Sequence, residues 1–511
     1  MSIDKNTADY LFRQRWCNFK EEIRLDNVEN ISYMSLPFDK GNKMLTIGKV
    51  NLSLHSEEPV RYFMMPLAKA EKNETDTIEI DGQKYVDALQ CSDYWQKMNE
   101  FLRQNNNVIT FPNGWQLTYK NLVDENFMEE HGKAQSRPLG VQQSNTTLSV
   151  GDDEIAFKLE RMLQFSKKEN PEFEMNEKLM RENSSVMPKT YGYFVLSNLQ
   201  NDTKSSAGIV QEYVKNQGDL WNYALSYLKK RLTAGYLMQK DLMPEENPHF
   251  MRLMKILGDK TAEMSECLSR ADENPAFTPE TVNEKIVHHY QKHLEFLLAK
   301  TRNVIRDNLE NLPQPTKDKA SHLLQNWDKL TGEYVKKQIA GVANSNDKLV
   351  RVHGDFHLGQ VMVTKDNDLR FIDFAGEPAA PMEERSQKHI SVRDLAGMYR
   401  SIKGYLGSAS VEEFVAEASD EVSAKARRSY AEKAIKPLMN EASRLVLNGH
   451  SLKEPWLGLE VLRKNLYEVN YEVIYRPQMA YIAVNGLADM LQPQKSKQRT
   501  NGKKQINNQH L

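Results

Sequence analysis

The stretch that decides the fold is VHGDFHLGQVMVTKDNDLRFIDFAGEP, residues 352–378. LVRVHGD (349–355) reads as a short, buried-type strand that ends in Gly-Asp. Gly354 permits a tight turn that presents Asp355 beyond the strand end. LRFID (369–373) reads as a second strand ending on Asp373, with TKDND (364–368) as a hairpin turn before it. Both strand ends can face one cleft, and Gln360 lies between them in sequence.

Those residue types carry a chemistry. Gln360 and Asp373 are oxygen donors suited to Mg²⁺, which takes one or two protein carboxylates and completes its shell with phosphate oxygens and water. Asp355, off the metal, can accept a proton from a hydroxyl. This division of labour is the pattern of phosphoryl transfer from ATP. Either aspartate alone also fits a turn residue at a strand end. His-Gly-Asp, Gln360 and Ile-Asp-Phe together favour the chemical reading.

That reading requires further parts upstream. EIAFKLE (154–160) places Lys158 on a strand, where it can hold phosphates. NPEFEMNEK (170–178) reads as a helix opened by Asn-Pro, with Pro at the favoured first position. It offers Glu174 and Glu177 as partners for the lysine. No G-x-G-x-x-G covers the phosphates. QQSNTT (142–147) stands there instead, and Ser144, Asn145, Thr146 and Thr147 supply hydroxyl, amide and backbone donors. IVQEYVKNQGD (209–219) reads as a strand and a linker, and the backbone of Gln211, Glu212 and Tyr213 can pair the adenine edge. A strand lysine on its own is usually a solvated side chain. The order lysine, glutamate, linker, aspartate, aspartate carries the weight.

Working outward, the chain of 511 residues divides into an α/β unit (1–130), a β-rich nucleotide-binding lobe (131–216), a mostly helical lobe (217–490) and a polar, basic tail (491–511) expected to be disordered. Strands are expected over KMLTIGKVNLSL (43–54), VRYFMMPLAKA (60–70), MPKTYGYF (187–194) and AGIVQEYV (207–214), and a helix over YVDALQCSDYWQKMNEFLRQ (85–104). Hydrophobic residues make up 40% of the chain, and the formal net charge is −2, which argues against nucleic acid and anionic membrane as partners. No apolar run reaches the roughly 18 residues of a membrane span. The N-terminus lacks the pattern of a signal peptide. Three scattered cysteines, Cys17, Cys91 and Cys267, fit a reducing cytoplasm and exclude a disulfide framework. His288, His289 and His293 include an i, i+4 pair but lack a third ligand nearby, and read as a solvated helix face.

GVQQSNTT (140–147), NPEFEMNE (170–177), VQEYVKNQGDLWNYAL (210–225), LGDKTAEM (257–264), RVHGDFHLGQV (351–361), FIDFAGEPAAPMEER (371–385) and VRDLAGMYRSI (392–402) together resemble the maltokinases. These belong to the aminoglycoside-phosphotransferase-like kinases, whose fold is similar to that of protein kinases. The resemblance covers about residues 140–490. It implies an α+β, bilobal, protein-kinase-like fold with an N-terminal α/β cap subdomain and a mostly helical C-lobe. It also implies ATP- and Mg²⁺-dependent phosphorylation of maltose at its anomeric hydroxyl, within α-glucan metabolism. Asp355 is then the base, Gln360 and Asp373 the metal ligands, Lys158 the phosphate lysine and Glu174 its partner. KNLYEVNYEVIYRP (464–477) resembles the family's sugar-binding segment and nominates Lys464, Tyr467, Glu468, Tyr471 and Arg476. Spacings of three and four residues put most of these on one helix face. His357, Glu377 and Arg385 are further candidate contacts to the sugar or the metal. A trehalose synthase as partner is implied by the family alone.

Three positions depart from the family pattern: Ala375 in place of glutamate, RWCNFK (15–20) in place of Arg-Trp-Phe-Gly-Gly-Lys, and Ser265. Ala375 lies beside Asp373 and bears on acceptor choice, so another sugar such as glucosamine is the first alternative. An aminoglycoside acceptor is the second. A catalytically silent nucleotide-binding regulator of a glucan-synthesis partner is the non-enzyme alternative, and the presence of Lys158, Asp355 and Asp373 argues against it.

Overall fold

A computed structural model describes residues 9–11, 13–14, 17, 28–52, 60–71, 73–80, 82–123, 126–140, 145–314, 316–342, 347–377 and 380–491. The chain forms two compact units, 1–281 with 347–450 and 282–346 with 451–511.

The first unit begins with two antiparallel sheets. β1 (Val28–Phe38), β2 (Lys43–Leu52), β3 (Val60–Lys69), β4 (Ile78–Ile80) and β5 (Gln83–Asp87) are ordered β1-β2-β3-β5-β4. The second sheet holds β6 (Val108–Phe111), β7 (Trp115–Asn121), β8 (Ser136–Pro138), β9 (Thr146–Val150) and β10 (Ile155–Leu159). β11 (Met162–Leu163) turns back to pair with β3, while β12 (Thr190–Asn198) and β13 (Thr203–Glu212) complete the second sheet in the order β6-β7-β12-β13-β10-β9-β8. Residues 131–140, read from the sequence as a junction, therefore contribute β8 to a sheet that also takes two strands from before them.

Among the described residues, α1 (Tyr94–Gln104), α2 (Phe127–His131) and α3 (Pro171–Arg181) serve this part. Leu45, Ile47 and Met64 of the first sheet share one apolar core with Leu117, Leu148, Phe157, Phe194 and Val210 of the second and with Trp95 and Met98 of α1. Burying a side chain of this size stabilises by about 1.5–3 kcal/mol. α3 begins as the sequence predicts. Asn170 caps it by accepting from the Glu172 N–H at 2.9 Å, and Pro171 fills its first position. Phe173 then stacks on Tyr193 with ring centroids 4.0 Å apart, which seats α3 on the second sheet.

Downstream come α4 (Leu220–Met238) and α5 (Pro248–Ser269), then α6 (Glu284–Asp307), α7 (Thr316–Gln325) and α8 (Trp327–Val342). After residue 347 follow α9 (Met382–Arg385), α10 (Arg393–Arg400), a π-helical turn Ser401–Leu406, α11 (Gly407–Val415), α12 (Glu421–Ala434) and α13 (Lys436–Leu447). α14 (Pro455–Tyr475) and α15 (Ala480–Leu491) end the described chain.

Two small sheets place the quoted stretch. β14 (Asn216–Asp219), β17 (Val361–Thr364) and β18 (Leu369–Phe371) form one, and the β17–β18 hairpin pairs Val361 with Phe371 and Val363 with Leu369. β15 (Glu280–Thr281), β16 (Lys348–Val350) and β19 (His389–Ile390) form the other. The second unit is built of α6, α7, α8, α14 and α15. α14 is its central element and buries Leu457, Leu462, Leu466, Val469 and Val473. His288, His289 and His293 lie exposed on α6, as the sequence suggests. Among the described residues, no helix is long and apolar enough to cross a membrane.

Candidate active site

The site starts from β10. Lys158 stands opposite Thr147 of β9 and Ile209 of β13. Its ammonium Nζ lies 3.0 Å from Asp373 Oδ1, 3.4 Å from Glu172 Oε2 and 3.6 Å from Glu160 Oε1. Burial alone would lower the lysine pKa. The negative charges of Asp373, Glu172 and Glu160 outweigh it and hold the ammonium charged, well above the ordinary lysine range. The same ammonium keeps the Asp373 carboxyl below the usual carboxylate range. Glu172 and Glu160 move the other way, because burial penalises their charged forms.

Asp373 follows β18 with φ of 67°, in the left-handed region that a non-glycine residue rarely adopts. That backbone turn aims its side chain back toward β10. Gln360, last residue of the 3₁₀ turn Leu358–Gln360 that leads into β17, meets the same carboxylate, with its Nε2 donating to Asp373 Oδ2 at 3.3 Å. Lys158, Glu172, Gln360 and Asp373 thus meet from four separate elements. They line a cavity of about 530 Å³ with Asn145, Thr147, Ala156, Gln211, Glu212, Tyr213, Val214 and Met362. The backbone N–H groups of Glu212 and Tyr213 already donate to Lys189 O (2.8 Å) and Glu154 O (3.0 Å). The Gln211 amide donates to Thr190 Oγ1 at 3.1 Å.

The turn after β16 is held from behind. Asp394, at the start of α10, is buried and accepts from the His353 N–H at 2.8 Å and the Gly354 N–H at 2.9 Å. Ser401 accepts from the Leu358 N–H at 3.2 Å. Gly397, between these two on the same helical stretch, faces Phe356 O so closely that an added Cβ would stand 2.8 Å from it. Gly354 has φ of 87° and lies 3.2 Å, measured from a built Cβ, from Gly376 Cα, so the two loops of the quoted stretch touch through glycines. Asp355 leaves this turn with a mostly buried side chain, and its Oδ2 lies 3.8 Å from His357 Nε2. His357 Nδ1 accepts from the Gly359 N–H at 3.1 Å. Arg385 reaches across from α9, donating to Ala380 O at 2.9 Å, to Ala375 O at 3.5 Å and to Gln164 Oε1. Its charge faces Glu160, Asp373, Glu377 and Glu383.

Two expectations are corrected. The partner of Lys158 is Glu172, not Glu174. Residues two apart on a helix point in nearly opposite directions, and the Asn170 cap fixes Glu172 toward the sheet. Glu174 turns away and pairs with Arg351, whose Nη1 donates to Glu174 Oε2 at 2.7 Å. Glu177 accepts from Lys120 at 2.6 Å and from the Tyr193 hydroxyl. Thr146 does not face the cavity either. Strand alternation sends Thr147 inward, and Thr146 Oγ1 accepts from Arg161 Nε at 2.9 Å. Ser144 lies outside the described residues. Glu172, Glu160, Asp394 and Ser401 were not singled out from the sequence. Asn-Pro-Glu, with its fixed cap, was the signal available for Glu172.

The second unit carries the other nominated residues on α14. Tyr467 and Tyr471 stack with centroids 6.5 Å apart and planes 14° apart. Lys464 Nζ lies 5.0 Å from the Tyr467 ring centre, and the Arg476 guanidinium 5.1 Å from that of Tyr471. Glu468 is buried and Tyr471 exposed. Among the described residues no group of three or more His, Cys, Asp or Glu side chains is arranged to hold a metal ion.

No protein-family model matches the chain. Over 266 residues it is 22% identical to a protein described as a glucosamine kinase from Streptacidiphilus jiangxiensis, an alignment covering 52% of this chain and 53% of that one. The chain thus spans about half the length of that curated relative. A solved glucosamine kinase in complex with glucosamine, ADP and inorganic phosphate aligns with TM-score 0.57 and 16% identity, covering 96% of this chain and 100% of that one. A second crystal form of a glucosamine kinase gives TM-score 0.57 and 17% identity over 90% of this chain and 94% of that one. At these identities the likeness shows the fold. The chain has the α+β, bilobal, kinase-like fold of those proteins.

Proposed function

We propose that the protein is an ATP-dependent sugar kinase. The observation that carries this reading is the meeting of Lys158, Glu172, Gln360 and Asp373 in one cavity lined by Gln211, Glu212 and Tyr213. A cavity of about 530 Å³ suits a nucleotide. Lys158, kept charged by its carboxylates, turns to the nucleotide phosphates, with Glu172 fixing its position. Asp355 orients the acceptor hydroxyl and takes its proton.

Mg²⁺ fits the donors present. Asp373 stays ionised, Gln360 adds a carboxamide oxygen, and a hard cation with so few protein ligands draws the rest of its shell from phosphate and water. When bound, it neutralises charge on the phosphates.

Maltose, phosphorylated at its anomeric hydroxyl, is the acceptor that the resemblance to the maltokinases implies, with Tyr467 and Tyr471 as flat partners for a sugar face. Glucosamine is the second reading, supported by the names of the relative and of the solved structures. A cytoplasmic location and association with a trehalose-converting enzyme belong to the same proposal. Purified protein with MgATP and separate maltose, glucosamine, glucose and trehalose, followed by ADP release, tests it. ADP release that depends on one of these sugars supports the reading. Release with none of them would sink it.

A further inference from the structure

Helix α3 is held on two faces, and only the face toward Lys158 belongs to the reaction described above. On the other face, Glu174 Oε2 accepts from Arg351 Nη1 at 2.7 Å. The Arg351 side chain is 1% exposed, and its Nε and Nη2 find no hydrogen-bond partner among the described residues. A guanidinium buried this deeply depends on its one close carboxylate for compensation. It also lies over the Phe277 ring, 5.6 Å from its centre, and Lys178, one turn beyond Glu174 on α3, lies 5.7 Å from the same ring. Lys178 in turn pairs with Asp272 at 3.2 Å and Glu182 at 2.8 Å. Arg351 leaves β16 and leads directly through Val352, His353 and Gly354 to Asp355.

We infer that Glu174 and Arg351 form a positioning pair that couples the nucleotide lysine to the acceptor aspartate. The inference rests on the kinase reading above, since it assigns Lys158 and Asp355 to the two ends of one transfer. Glu172 ties α3 to Lys158, and Glu174 ties the same helix to the strand that presents Asp355. α3 therefore takes its transfer-competent place only when both lobes of the first unit are set together. Neither Glu174 nor Arg351 touches the reacting groups. Their effect is on alignment, to which transfer rates are steeply sensitive.

Glu174→Gln and Arg351→Met are each expected to lower kcat roughly 30-fold while leaving the Kd for MgADP within about threefold. The double variant is expected to be no worse than either single one, because both remove one interaction. Arg351→Lys, which keeps the charge, should retain most of kcat. Additive losses in the double variant, or an unchanged kcat in Glu174→Gln, would overturn the inference. A measurement on the wild type guards against a variant that does not fold. In hydrogen exchange, MgADP is expected to protect both 145–160 and 353–360. Protection of the first segment alone would overturn the coupling and leave the nucleotide reading standing. Protection of neither would remove both. Protection of both, in a protein that transfers phosphate to no sugar, would leave the coupling and remove the acceptor reading.

Discussion

Glu172 shows how far single residues can be read from sequence. Lys158, Gln360 and Asp373 were legible, and the structure brings them to one cavity, whereas Asp355 stands on the neighbouring turn and does not line it. Which glutamate of NPEFEMNE faces the lysine was not legible. That depends on the helix phase, set by the Asn170 cap and the Phe173–Tyr193 stack. The electrostatics of the chosen residue lead to a pH dependence. Burial raises the Glu172 carboxyl above the ordinary glutamate value of 4.5, and the Lys158 charge cancels only part of that rise. Because the folded-state value is raised to about 7, this carboxyl contributes less to folding stability as pH climbs through the interval from 4.5 to about 7. As pH falls through the same interval, Glu172 loses its charge and its hold on Lys158. The acid limb of kcat/KM for ATP is therefore expected above the normal glutamate range. In Glu172→Gln that limb should shift to lower pH and the plateau should drop roughly tenfold, as for the loss of about 1.4 kcal/mol of transition-state stabilisation. A limb that stays in place in the variant would assign the titration to another group.

At the scale of elements, the TKDND turn and strand β18 after it were legible, but the partner was not: β18 pairs with β17, while the strand read over 349–355 is only Lys348–Val350 and pairs with β15 and β19. Helix α3 was legible through Asn-Pro. The stretch 85–104 was not. Its apolar spacing suggests one helix, yet Gln83–Asp87 pairs with β3 and β4, and Asp87 caps a 3₁₀ turn by accepting from Leu89 N–H at 3.1 Å before α1 begins. Pairing with distant strands overrides local periodicity. The same Asp87 reaches the buried Arg161, which also holds Thr146. The first sheet is thus tied to the strand beside the proposed nucleotide cavity. Asp87→Asn removes a carboxylate facing a buried guanidinium and is expected to cost about 3 kcal/mol in chemical denaturation, with a rise in KM for ATP. A loss of stability with KM unchanged would make the tie purely architectural. α10 supports the other side of the site. Gly397→Ala must push against Phe356 O, so it is expected to cost about 1–3 kcal/mol and to lower kcat. Unchanged turnover would show that the turn carrying Asp355 tolerates the displacement.

At the scale of the whole molecule, the cavity beside Lys158, the turn carrying Asp355 and their supports lie in the first unit, and the tyrosine pair of α14 lies in the second. The division itself was not legible, because the second unit is assembled from two separated stretches of uniformly helical sequence. With Tyr471 proposed as a sugar contact, Tyr471→Ala is expected to raise KM for the sugar about 2- to 12-fold, the range given by losing one stacking partner worth about 0.5–1.5 kcal/mol, and to leave the Kd for MgADP unchanged. A variant that weakens nucleotide binding instead would contradict that assignment. The central claim is transfer of phosphate from ATP to a sugar hydroxyl under the control of Asp355. Phosphorus NMR of wild type and Asp355→Asn, each with MgATP and with maltose or glucosamine, tests it most directly. Wild type is expected to convert ATP to ADP and one sugar phosphate, at the anomeric position if the sugar is maltose. Asp355→Asn is expected to bind MgADP as wild type does and to be slower by roughly 10²–10⁴-fold. A wild type that binds nucleotide but phosphorylates neither sugar, or an Asp355→Asn variant as active as wild type, would contradict the claim.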